Sequence, residues 1–155
     1  MASVRSKIGD IFEIKTREGL AYAQYTQESE SDGALIRVFE GLHEKVPTDL
    51  KKIANGFVAF ATFFPVQAAI KQGLVRRVGH AEIAPTNKEM PVFRWGIPHP
   101  LSKKVEQWYL WDGTDHHKID SLSEDQRKMP IREIMLMEGL TTAIEEGWKP
   151  EKDRR

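Results

Sequence analysis

Residues 111–120, WDGTDHHKID, gather the side chains most able to do chemistry: two histidines and three aspartates behind a tryptophan. An imidazole beside a carboxylate can act as a general base, and imidazoles with carboxylates can ligate a divalent metal. The spacing works against one ion held by His116 and His117, because neighbours in an extended strand point to opposite faces. A three-ligand site would have to recruit Asp112, Asp115, His80 or His99 from distant loops, which nothing in the spacing requires. A solvated hairpin turn at Asp112 and Gly113 accounts for the whole stretch. The expectation is therefore no metal and no cofactor. His43 and His99 stand singly beside turn residues, where surface or capping roles are the ordinary use.

Other signatures of chemistry are missing. The chain contains no G-x-S-x-G, P-loop, G-x-G-x-x-G or H-E-x-x-H pattern. It has no cysteine, so thiol nucleophiles, thiolate zinc sites and disulfide frameworks are excluded. Glu28 and Glu30 lie in the polar loop QESESDG, with no apolar wall to separate their pKa values into an acid and a base. No catalytic residue is assigned. Trp95, Trp108, Tyr109 and Trp111 could form an aromatic platform, although core packing is the commoner use of such residues.

The elements that must position these residues read as one domain over 1–155, with an ordered core at about 7–148 and a frayed charged tail. DIFEIKT and LAYAQYTQ flank a turn containing Gly19 and alternate with period two, Ile11 and Glu13 on one face, Phe12 and Ile14 on the other. ALIRVFE follows as a third strand. PTDLKKIANG carries helix start and stop signals, with Asp49 at one end and Gly56 at the other. FVAFATFF places phenylalanines on both faces and reads as an interior strand at the centre of the sheet. VQAAIKQG then makes a short helix or turn. LVRRVGHAEI returns as a strand with Arg76 outward, VFRW is a short strand within a proline-rich loop, and EQWYLW pairs with HHKID. Ser123 and Gln126 form a capping box, and Pro130 opens one long helix over about 130–147. The expected class is α+β: a strongly bent antiparallel sheet or small partly open barrel, short helices and a long C-terminal helix.

Lysine and arginine total 23 against 23 aspartate and glutamate, so no global cationic field gathers phosphate backbones. Neither a membrane-spanning run nor a signal-peptide core is present, and a cytoplasmic location is expected.

The N-terminal order IGDIFEIKTREGLAYAQYTQ, then ALIRVFE, GFVAFATF and GLVRRVGHAEIAP…MPVFRWG, resembles the bacterial immunity protein 26 family, in which a Gly-Asp strand opening and a Tyr-Ala return strand begin the domain. The likeness spans roughly 7–97. It implies a non-catalytic protein that binds and neutralises a cognate bacterial toxin. Such a role suits complementary charge, and Glu28, Glu30 and Asp32 place three acids on a hairpin loop, with Phe93 and Trp95 of the proline-rich loop as further partner-binding candidates. Two alternatives come from other classes. One is a small barrel binding single-stranded nucleic acid through Arg76, Arg77, Arg94 and the tryptophans. The other is a hydrolase using His116 or His117 with Asp115.

Overall fold

The computed structural model describes residues 5–155. Along them run β1 (Asp10–Thr16), β2 (Gly19–Ser29), β3 (Gly33–Phe39), α1 (Leu50–Ala54), β4 (Val58–Phe63), α2 (Val66–Lys71), β5 (Arg76–His80), β6 (Phe93–Trp95), β7 (Trp108–Trp111), β8 (His116–Ile119), α3 (Glu124–Arg127) and α4 (Met137–Glu145). Five strands form an antiparallel sheet in the order β4-β3-β2-β1-β5, and three form a second sheet, β6-β7-β8. The architecture is α+β without a closed barrel.

Period-two alternation divides the larger sheet into two buried faces. Phe12, Ile14, Ile36, Phe60 and Phe64 pack under α2 and α4, against Ala69, Leu140 and Ala143. On the opposite face Ile11, Tyr22 and Phe39 meet Ile53 and Ala54 of α1. Beside them Leu35, Ala61 and Phe63 meet Phe93 and Trp111 of the smaller sheet. The Phe63 and Phe93 rings stack with centroids 5.2 Å apart, and Phe63 also meets Trp111, so this cluster joins the two sheets. Local signals set the short helices as expected: the Asp49 side chain accepts from the Lys52 amide, and Ser123 and Gln126 close a reciprocal capping box.

Three expectations need correction. The FVAFATFF strand is covered on both faces but is not central: β4 is the last strand of its sheet, and Phe57, 84% exposed, precedes it. Its outer edge is completed by residues 133–135 instead. The Phe63 amide donates to the Glu133 carbonyl at 3.2 Å, and the Met135 amide donates to the Phe63 carbonyl at 2.9 Å.

The long helix from Pro130 is the second correction, for α4 covers only Met137–Glu145. Residues 130–135 are extended because their backbone groups are already engaged across the chain. The Arg94 amide donates to the Pro130 carbonyl and the Arg132 amide to the Arg94 carbonyl, both at 2.9 Å. The segment is thus a parallel strap, bridging Arg94 through Ile131 and Phe63 through Ile134.

The tail also departs from the expected fraying. Pro150 is buried, the Val105 amide donates to the Arg155 carbonyl, and the Arg155 guanidinium pairs with Glu133 and Asp153.

Candidate functional site

Gly33 adopts φ +89°, the left-handed backbone that turns β2 into β3, and so places Asp32 at the base of the acidic loop. Asp32 receives two charge-assisted hydrogen bonds from Arg132 of the strap, Nε to Oδ2 at 2.8 Å and Nη2 to Oδ1 at 3.0 Å. The Arg132 guanidinium holds the Asp32 carboxyl below its ordinary range, against the opposing effect of burial. That guanidinium also lies 3.7 Å above the Trp111 ring.

Contact continues from there. Trp111 stacks on His116 at 6.2 Å, Trp95 Nε1 donates to His116 Nδ1 at 3.0 Å, and the Trp95 ring stacks on Tyr109 at 4.7 Å. An unbroken run of side chains therefore links the acidic hairpin to the outer aromatic pair. It brings together two of the residues expected from sequence, Asp32 and Trp95, through Arg132, Trp111 and His116.

The remaining expected residues fare differently. Phe93 is fully buried between Phe63 and Trp111 and cannot touch a partner, because Phe93 sits on the inward face of a three-residue strand. Glu30 is exposed at the hairpin tip. Glu28 is exposed as well, and lines an open cleft of about 800 Å³ with Asp32, Arg5 and Lys7. Burial, together with the Glu28 carboxylate, pushes the Tyr25 phenol in that cleft upward.

Just beyond Trp95 lies a pair of exposed aliphatic side chains that sequence reasoning missed. The loop 96–104 is ordered: the His99 amide donates to the Lys104 carbonyl at 2.8 Å, the Lys103 amide to the His99 carbonyl at 2.9 Å, and His99 Nδ1 accepts from the Leu101 and Ser102 amides. Lys103 takes φ +63°, the single positive φ outside glycine among the described residues. This braced loop nevertheless presents Ile97 at 80% and Leu101 at 87% exposure.

The basic residues of the nucleic-acid alternative do not converge on such a surface. Arg76 pairs with Glu13 and Arg77 with Asp10, both at 3.0 Å. Arg94 is 1% exposed, donates to the Pro150 carbonyl at 2.7 Å and covers Trp108, so no phosphate could reach it.

For the hydrolase alternative, the turn is closed by backbone groups, the Asp115 amide donating to Asp112 Oδ1 at 2.8 Å and the Asp112 amide to the Asp115 carbonyl at 3.3 Å, while His116 Nδ1 accepts from Trp95 rather than pairing with Asp115. A different Asp–His contact is formed by Asp10 and His80 Nδ1 at 3.0 Å. Asp10 is sealed in the interior. Burial pushes its carboxyl upward, but Arg77, the Lys7 amide and His80 outweigh it and hold the group below its ordinary value. The His80 ring covers Gly9, where an added Cβ would lie 2.3 Å from Cε1. These contacts describe a clasp between β1 and β5. Among the described residues no three His, Asp or Glu side chains stand close enough to hold a metal.

No family model matches this chain. Neither a curated protein nor a solved structure matches it. Function is therefore read from geometry, and among the described residues no helix is long and apolar enough to cross a membrane.

Proposed function

We propose that this chain acts by binding a protein, as an immunity-type protein that neutralises a cognate bacterial toxin inside the cell, with no catalytic step of its own. One observation carries the reading: an internally hydrogen-bonded loop holds Ile97 and Leu101 almost fully in water beside the Trp95–Tyr109 stack. Ordering a loop costs conformational entropy, and exposing two large aliphatic side chains on it forgoes their burial, on the order of 2 kcal/mol each. A partner that covers them recovers that term. Aromatic and aliphatic anchors ringed by polar groups are the usual centre of a protein interface.

The acidic hairpin supports the same reading in a reduced form. Asp32 is held by Arg132, so Glu28 and Glu30 are the acids able to meet a basic toxin and speed its approach.

The test takes the toxin encoded beside this chain's gene and measures neutralisation together with association and dissociation rates. Ile97→Ser with Leu101→Ser is expected to raise the dissociation rate at least tenfold, while Glu28→Lys with Glu30→Lys slows association at low salt. Unaltered rates in the Ile97 and Leu101 variant would remove the loop from the interface. If no neighbouring toxin bound the native chain, the immunity reading would fall.

A further inference from the structure

A second, smaller cleft of about 250 Å³ opens between β3, β4 and the segments around Lys128 and Pro150, and shares no lining residue with the face described above. Its floor holds Arg37, a residue only 8% exposed. Arg37 Nε donates to Thr26 Oγ1 at 3.3 Å, and Nη2 donates to the Glu89 carbonyl at 2.8 Å and Gln27 Oε1 at 3.4 Å. All of these acceptors are neutral. Among the described residues Arg37 forms no salt bridge, and Nη1 has no hydrogen-bond partner. Nη1 is also not one of the fully enclosed unpaired atoms, unlike Arg94 Nε. Nη1 thus keeps contact with solvent on a residue that lines the cleft.

Buried guanidinium groups are ordinarily paired with carboxylates, because an uncompensated charge carries a large desolvation penalty. Here, among the described residues, no carboxylate lies within pairing distance of Arg37. The cleft has the charge to accept one: Arg37, Lys128 and Lys149 line it together with Glu151, and Lys149 is already paired with Glu40. With Lys149 neutralised by Glu40, Arg37 and Lys128 against Glu151 leave a net charge of +1. The other walls are apolar, formed by Val58, Ala61, Pro91 and Pro130 among others.

We infer that this cleft is a binding site for a small organic monocarboxylate, its carboxylate on Arg37 and Lys128 and its apolar body against the valine, alanine and proline wall. A single negative charge balances the site, whereas a phosphate dianion would overcharge it. Planar guanidinium matches the two carboxylate oxygens, and the apolar wall takes a carbon body that a bare inorganic ion lacks.

The test titrates the full chain with benzoate, its neutral isostere benzamide and inorganic phosphate, following backbone amide NMR shifts. Saturable benzoate shifts are expected at Arg37, Val58 and Lys128, with benzamide at least tenfold weaker and phosphate unable to displace benzoate. Lys128→Glu, on an exposed residue, is expected to lower benzoate affinity tenfold or more with an unchanged folded spectrum. Arg37→Gln is expected to abolish the shifts, and the Lys128 variant decides the matter if that protein does not fold. Equal binding of benzamide, displacement by phosphate, no saturable benzoate shift, or unchanged affinity in Lys128→Glu would each overturn the assignment.

Discussion

Asp32 and Arg132, separated by 100 positions, form a two-point ion pair with both side chains mostly withdrawn from solvent. The pair fixes the acidic hairpin to the strap, so the three acids of that loop are not equivalent. Asp32→Asn is expected to cost about 1–3 kcal/mol, since it leaves the Arg132 charge without its partner in a half-buried site. Glu30→Lys, at the exposed tip, is expected to stay within about 0.5 kcal/mol. Chemical denaturation of the two variants checks the contrast, and equal stabilities would mean the pair contributes nothing.

Acid is expected to weaken the fold in a defined direction. Asp10 and Asp32 both have carboxyl groups held below their ordinary 3.8 in the folded chain. On acidification the unfolded chain takes up protons first, so their contribution is complete above about pH 5 and is lost as pH falls through about 4 and on through the folded values. Denaturation midpoints measured from pH 6 downward should fall steadily over that range. Asp32→Asn should flatten part of the slope, and a slope identical to the native chain's would show that Asp32 is not one of the groups responsible.

Phe63 lies between the sheets, against both Phe93 and Trp111. Phe63→Ala is expected to cost about 3–5 kcal/mol, the usual range for emptying a buried aromatic site. Its distinguishing mark is a loss of near-ultraviolet circular dichroism from the tryptophans of the smaller sheet.

Gly96 couples the aromatic strand to the exposed loop. A Cβ there would lie 2.6 Å from the Gln107 carbonyl oxygen and 2.2 Å from Val105 Cγ1, and the backbone oxygen cannot yield cheaply. Gly96→Ala is expected to cost about 1–3 kcal/mol by overpacking and to change Trp95 fluorescence. A variant with native stability and native emission would show that the loop accommodates the methyl group freely.

Local patterns revealed the strands and short helices well. Alternation in DIFEIKT and ALIRVFE, Asp49 as a cap, and the Ser123–Gln126 box are short-range signals that the fold leaves intact. The failures share a cause in long-range pairing. Ile134, Met137, Leu140 and Ile144 have helical spacing, yet the backbone of 130–135 is claimed by Arg94 and Phe63, and no local pattern records those partners. Phe93 misled in a related way, because its burial depends on Phe63 and Trp111 rather than on its proline-rich neighbourhood. Of the site, the acids and Trp95 were readable as types. Arg132, which joins them, and the exposure of Ile97 and Leu101 follow only from tertiary placement.

The strap has a consequence for biosynthesis. β4 is made long before its outer partner: the Thr62 hydroxyl and the Glu133 carbonyl that meet at this edge are 71 positions apart. At roughly 5–20 residues per second, the growing chain carries that phenylalanine-rich edge unpaired for on the order of 4–14 seconds. An open apolar strand edge is a template for pairing with another nascent chain. Aggregation on the ribosome should therefore peak in chains arrested before the strap emerges and fall once it has cleared the exit tunnel.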